Sequence, residues 1–342
     1  MTEQPPLISV IGATGTGKSE FAIGVAERLA ELGRPAEILN ADAMQLYRGM
    51  DIGTAKLTLD ERRGVPHHLF DVLEVSEEST VADYQGAARS LIISLRERGI
   101  TPILVGGSGL YISAAVFDFR FPGTDPVVRA ELEARLEQEG LAALVSQLRG
   151  LDPAGAGRID LRNPRRVVRS LEVLLVTGVS AESALPEAPV PLVPTVFAGL
   201  HEERSVLTAR LDRRVERMWA AGLLDEVRAL VPRGLADGPT ASRAIGYAQA
   251  LGQLNGELSE AEAIDATQAL TRRYARRQAS WFRRNRDARW FASGAPDLAA
   301  NIEATAATVI DQGALRSWAP GSGSADSAPH PGNDQRFGQR AE

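Results

Sequence analysis

Cysteine is absent from the 342-residue chain, which excludes disulfides, thiolate catalysis and cysteine-bound zinc and fits a reducing compartment. Any metal has to be held by oxygen ligands or by the four histidines. No apolar run approaches the ~20 residues needed to cross a bilayer, and residues 1–6 are too few and too polar for a signal peptide. The expected location is therefore the cytoplasm, without membrane contact. Lysine is scarce as well: Lys18 and Lys56 are the only two, and every other basic position is arginine. The net charge of −6 argues against a uniformly basic coat for nucleic acid, although an average says little about local patches.

What is present begins with an apolar strand pattern at Leu7–Ile11, followed by Gly12, Ala13, Thr14, Gly15, Thr16, Gly17, Lys18 and Ser19 and then by an amphipathic helical run. The spacing Gly-x-x-x-x-Gly-Lys-Ser between strand and helix is that of a phosphate-binding loop. Glycines let successive N–H groups converge on one anion, and the helix adds its positive end. Lys18 supplies a compact charge and Ser19 a hydroxyl for Mg²⁺. The loop is indifferent to what the phosphate carries, so the motif alone leaves the compound open.

Along the chain, a helix is expected from Lys18 to Leu32, stopped at Gly33, and a strand from Glu37 to Asn40. Residues 43–67 have no clear period but carry apolar and aromatic groups, which predicts an ordered functional loop. A short strand at His68–Asp71, a Thr80-capped helix to Arg98 and a buried strand at Pro102–Val105 follow. The last of these runs into the tight turn Gly106-Gly-Ser-Gly-Leu-Tyr111. Short apolar strands alternating with helices predict an α/β fold, a parallel sheet with ligands at the carboxyl ends of its strands.

From Phe119 the strand signal vanishes, and helices are expected at Asp125–Gly140, Leu141–Arg149 and Asn163–Thr177. A proline-rich linker at Pro186–Pro194 leads back to a core strand at Thr195–Leu200. Helices at Arg204–Ala221, Leu223–Val231 and Ala244–Leu254 come next, then a long one from Ser259 and a short strand at Trp290–Phe291. The resulting division is a core in two parts, 1–118 and 195–317, a helical insertion at 119–194, and a tail at 318–342 whose composition predicts disorder.

Asp42, at the end of the second strand, is the carboxylate best placed for chemistry. Metal ligation, general-base work and simple capping all suit an aspartate there. The apolar strand Ile103–Val105 ends in glycine instead of the acid that phosphate-loop ATPases use to hold Mg²⁺ and water. Arg162, Arg165, Arg166 and Arg169 share one helical face, and Arg272, Arg273, Arg276, Arg277, Arg283, Arg284 and Arg286 share another. A solvated surface is the bland explanation of such faces. Within their own helices, however, they carry almost no acid, which favours a nucleic-acid backbone as partner. Arg210, Arg213, Arg214 and Arg217 form a third group, one of which could reach the phosphate loop. His67 and His68 have no matching carboxylate cluster, so packing or solvent exposure explains them better than metal binding.

Six segments, Gly12–Ser19, Asn40–Lys56, Gly106–Tyr111, Asn163–Arg166, Arg243–Tyr247 and Arg272–Gln278, together resemble the tRNA dimethylallyltransferases over roughly residues 7–292. The 40–56 stretch is the most specific, because phosphate loops alone are shared by many families. The resemblance implies a nucleotide-kinase-like, P-loop NTPase-like core with a helical insertion that clasps the anticodon stem-loop. It also implies Mg²⁺ and transfer of a dimethylallyl group from its pyrophosphate to adenosine 37 of tRNA. Thr14–Ser19 would hold the pyrophosphate, Arg214 would join Lys18 in neutralising it, and Asp42 would take the proton of the attacking amine. Ala43, Met44, Gln45, Ser108, Arg129, Arg166, Val167, Val168, Arg169, Ser170, Arg243, Gly246 and Tyr247 would face tRNA, with Arg276 and Arg277 of the basic helix. The chain departs from the family pattern at Ala43, Ser108, Leu57 and Ala248. A monomer is expected, and a metabolite kinase is the competing function.

Overall fold

The computed structural model describes residues 4–119, 121–180, 190–294 and 297–315, so the tail after residue 317 and part of the proline-rich linker lie outside the described residues. Six parallel strands form one sheet: β1 (Leu7–Gly12), β2 (Ala36–Asn40), β3 (His67–His68), β4 (Thr101–Gly106), β5 (Thr195–His201) and β6 (Arg289–Ala292). Their spatial order is β3-β2-β4-β1-β5-β6. Every residue of β1 and β4 is buried, as expected for strands covered on both faces. The chain leaves β1 towards β2 on one side and leaves β4 towards β5 on the other. The strand connections therefore reverse direction between β1 and β4, where a crevice opens beyond the strand ends.

Helices α1 (Lys18–Glu31), α2 (Val81–Glu97) and α3 (Gly109–Val116) belong to the first part of this core. The second part carries α8 (Arg204–Ala220), α9 (Leu223–Leu230), α10 (Tyr247–Leu254), α11 (Glu260–Phe282) and α12 (Leu298–Leu315). Apolar residues of α1, among them Phe21, Val25 and Leu29, pack on Ile8, Val10 and Ile103 of the sheet. Burial of each such side chain contributes roughly 1.5–3 kcal/mol. The Thr80 hydroxyl accepts the Asp83 amide at the start of α2, and Ser259 and Glu262 close a reciprocal cap on α11.

Residues Phe117–Leu192 form a separate compact unit. It contains α4 (Pro126–Glu139), α5 (Leu141–Leu151), the single turn α6 (Pro153–Ala156) and α7 (Pro164–Thr177), around a core of Leu132, Leu144, Leu148, Val167 and Leu171. Asn163 caps α7, Pro164 occupies its first turn and Gly178 ends it in the left-handed conformation.

The expected elements differ from the observed ones in four places. The strand at 68–71 shrinks to His67–His68, because Leu69 and Asp71 adopt positive φ angles of 62° and 57° and turn the chain away. The helix expected from Ala244 begins at Tyr247, after a 3₁₀ turn at Ala241–Arg243 and Gly246 at φ 93°. The short α6 is too brief to show a period. Helix α12, rich in alanine, has no strong apolar stripe, yet it buries Ala306 and Val309 in the core and pairs Glu303 with Arg28.

Candidate active site

The loop after β1 turns because Gly15 and Gly17 sit at φ 82° and 79°, values that a side chain would disfavour. Thr16 Oγ1 donates to the Ala13 carbonyl at 2.9 Å, and Lys18 Nζ folds back to the same oxygen at 2.7 Å. Helices α8 and α11 brace this loop through a small apolar cluster of Ala13, Leu211 and Ala275, with Leu207 beside it. On α8 the residues one turn from those leucines are Arg210 and Arg214. Arg210 donates to the Gly15 carbonyl at 2.8 Å and to Glu202 at 2.7 Å. Arg214 reaches Thr14 Oγ1 and the Thr54 carbonyl, both at 3.3 Å, while its buried Nε has no hydrogen-bond partner among the described residues. A half-buried guanidinium with an idle, buried Nε beside a phosphate loop is arranged for an anion.

Gln278 on α11 has a role that sequence reading missed. Its Oε1 accepts the Thr14 amide at 2.8 Å and its Nε2 donates to the Gly107 carbonyl at 2.7 Å, so one buried side chain ties the loop after β1 to the turn after β4. Gly107 and Thr14 are far from residue 278 in sequence, and only the position of Gln278 on the apolar side of a basic helix hinted at it.

Asp42 follows β2, where Asn40 accepts its amide at 2.8 Å and bridges to the Leu69 carbonyl at 3.0 Å. One carboxylate oxygen, Oδ1, accepts the Met44 amide at 2.9 Å, which is the capping geometry; Oδ2 has no hydrogen bond among the described residues. Asp42 thus caps a turn with one oxygen and leaves the other available. The charge of Asp42 acts on both Lys18 and Arg214 and favours their protonated forms, so the three form one electrostatic unit. Enclosure by the site walls nevertheless pulls the Lys18 ammonium down to about 8, with Asp42 opposing and Arg214 adding to the effect. Part of the Lys18 side chain remains exposed within the site.

These groups line one cavity of about 350 Å³, together with Ser19, Gln45 and Gln278 and with apolar Ile38, Leu57, Phe70 and Val105. The 43–71 loop that walls it is tied together by its own side chains. Lys56 is buried and donates to the Tyr47 carbonyl and to the carboxylates of Asp51 and Asp71, at 2.6–2.8 Å, stapling the loop shut. His67 meets the Val65 carbonyl and His68 meets Glu37, and no cluster of three metal-binding side chains occurs among the described residues.

The residues expected to face tRNA separate into two groups. Arg166, Arg243, Arg276 and Arg277 are exposed, while Ala43, Met44, Gln45, Ser108 and Ser170 are partly exposed. Val167 and Val168 instead point into the core of the helical unit and Tyr247 is buried, so these side chains pack inside, and Gly246 is buried beside Tyr247. The arginine faces are also less free of acid than the sequence reading expects. Arg129 and Arg169 both grip the buried Glu172 at 2.7 and 2.9 Å, and Arg272 pairs with Asp212 at 2.5 Å. Burial raises the Glu172 carboxyl, but the two arginines more than offset this and hold it below the usual range. Arg276, Arg277, Arg283, Arg284 and Arg286 make no ion pair among the described residues.

Comparison with known proteins supplies an independent view. The family model described as IPP transferase matches residues 45–285. A tRNA dimethylallyltransferase of Clavibacter sepedonicus is 59% identical over 83% of this chain and 92% of its own length. One from Thermobifida fusca is 55% identical over 85% and 91%. Among solved structures, the full-length tRNA isopentenylpyrophosphate transferase of Bacillus halodurans superposes with a TM-score of 0.67 at 38% identity, covering 91% of this chain and 98% of that one. A eukaryotic dimethylallyltransferase captured acting on tRNA gives a TM-score of 0.73 at 27% identity, covering 88% and 77%.

Proposed function

This chain belongs to the tRNA dimethylallyltransferase family, and on that premise we propose that it transfers a dimethylallyl group from dimethylallyl pyrophosphate to the exocyclic amine of adenosine 37 in tRNA. The observation that carries the chemistry is the meeting, in one cavity, of an anion cradle with an idle arginine donor and a carboxylate with one unused oxygen. As the allylic C–O bond breaks, its electron pair leaves with the pyrophosphate and positive charge develops on carbon. The loop amides, Lys18 and Arg214 stabilise the departing charge, which is where fixed electrostatics gain most. The amine nitrogen forms the new C–N bond, and its proton passes to Asp42 Oδ2. A stacked adenine cannot reach such a recessed site, so the target base is extruded from the anticodon loop first.

Mg²⁺ fits the donors present. Ser19 Oγ and the oxygens of the bound pyrophosphate, with Asp42 in the same wall, are the hard ligands this ion takes, and it needs no all-protein cage. When bound it would add positive charge beside the leaving group. A metabolite kinase is the weaker reading, because the relatives and the solved neighbours carry the transferase name. No described helix is long and apolar enough to cross a membrane; a cytoplasmic location and a monomeric state complete the proposal.

Incubation with undermodified tRNA, Mg²⁺ and dimethylallyl pyrophosphate, followed by nucleoside mass analysis, tests the assignment. One prenyl unit on adenosine is expected; unchanged nucleosides, or a phosphorylated metabolite with ATP, would refute it. The lowered Lys18 pKa gives a second expectation. Lys18 is protonated and binds the anionic donor below its pKa, so kcat/KM for the donor is level under pH 8 and falls towards about tenfold per pH unit above it. A profile level to pH 10 contradicts this. Replacing Arg276 and Arg277 together with Ala removes two exposed charges, and should lower the salt slope of log K for tRNA by about 2. An unchanged slope in a filter-binding titration would return that helix to a solvated surface.

A further inference from the structure

Helix α9 and the start of α10 lie outside the cavity wall but control a piece of it. Glu226, in the first turn of α9, accepts three consecutive backbone amides of the 51–54 turn: Asp51 at 3.1 Å, Ile52 at 2.8 Å and Gly53 at 3.4 Å. Successive amides converging on one anion form a nest, a geometry more often seen around a phosphate. The Tyr247 hydroxyl donates to the same carboxylate at 2.5 Å. Burial and the Glu226 charge push the Tyr247 phenol pKa upward, so it remains a donor. Gly53 lies so close to the Tyr247 ring that a Cβ would run into it.

The turn held in this way presents the Thr54 carbonyl to the cavity. Two donors share that oxygen: Arg214 Nη2 at 3.3 Å and Gln45 Nε2 at 3.1 Å. Arg214 has only neutral oxygen acceptors in its hydrogen bonds, Thr14 Oγ1 and this carbonyl, so its direction depends on where the turn sits. We propose that Glu226, assisted by the Tyr247 hydroxyl, is a positioning residue for the transfer reaction: it fixes the 51–54 turn so that the Thr54 carbonyl aims Arg214 at the pyrophosphate. Neither residue touches the reacting atoms. The inference rests on the transferase reading and extends it to residues on the far side of the loop.

Glu226→Gln keeps the volume but turns one accepting oxygen into a donor, so the nest and the Tyr247 hydroxyl compete for a single acceptor. With inorganic pyrophosphate and Mg²⁺ as the calorimetric probe, Kd should rise about tenfold, as should KM for dimethylallyl pyrophosphate, and kcat at saturating donor should fall severalfold as well, because the misaimed Arg214 also steadies the departing charge. Tyr247→Phe should shift Kd and KM about threefold in the same direction, a smaller loss consistent with one hydrogen bond. In an Arg214→Gln background the further effect of Glu226→Gln should shrink below about twofold, because the two act as one unit. Wild-type pyrophosphate affinity in both single variants would overturn the proposal, as would losses that multiply independently in the double variant. Should Glu226→Gln fail to fold, Tyr247→Phe and its combination with Arg214→Gln provide the same test. A wild-type protein that binds pyrophosphate with this coupling yet never prenylates tRNA would instead refute the transferase reading alone.

Discussion

Asp42→Ala is expected to lower the single-turnover rate of prenyl transfer by about 10³-fold, within the range that general-base catalysis supplies, with tRNA affinity changed only severalfold. The carboxylate also caps a turn, apart from the base role proposed for it, so the alanine variant by itself is ambiguous. Oδ1 caps the turn at Met44, and losing a cap costs about 1 kcal/mol of stability. Asp42→Asn separates the two, since its amide oxygen still accepts the Met44 amide while the basic oxygen is gone. Both variants should therefore be equally slow, and the asparagine one should melt closer to wild type. Near-normal single-turnover chemistry in Asp42→Asn would reduce Asp42 to its capping role.

Lys18→Ala should reduce kcat/KM for dimethylallyl pyrophosphate by on the order of 10²–10³-fold, the usual loss when one charge-stabilising donor is removed from a leaving group. The substitution also frees the Ala13 carbonyl from its 2.7 Å bond, so the loop loses an internal latch together with a charge. The pH profile distinguishes this residue from Arg214. Lys18 is the group pulled down to about 8, and in Lys18→Ala the alkaline fall in kcat/KM should vanish along with most of the rate. A variant that is slow but keeps the alkaline fall would show that another group titrates there.

The sequence makes the core legible because its signals are local. Glycine spacing beside an apolar run is enough to mark the loop of 12–19, and strand alternation with helices is enough for a parallel sheet. Asp42 and the 43–67 loop stand out from chain order alone. Residues whose meaning lies in distant partners do not. Gln278 acts on Thr14 and Gly107, Glu226 on the amides of 51–53, and Arg210 on the Gly15 carbonyl, contacts that no periodicity encodes. The arginine faces illustrate the same limit in reverse. Helical spacing gathers Arg272 with its neighbours, but the acid that pairs with it comes from α8, and the buried Glu172 draws Arg129 and Arg169 inward from two different helices. Tyr247 looks like a surface aromatic beside Arg243 until Gly246 turns it into the core.

Gly106 has an implication for how readily this scaffold could change its chemistry. A Cβ at that position would collide with the Ala41 carbonyl, immediately before Asp42, the general base proposed for prenyl transfer. Acquiring a water-activating acid at the end of β4 would thus displace the neighbouring strand end and its aspartate, so a nucleotide hydrolase is not one substitution away. The steric conflict insulates alkylation at carbon from futile consumption of phosphoanhydrides across mutational drift.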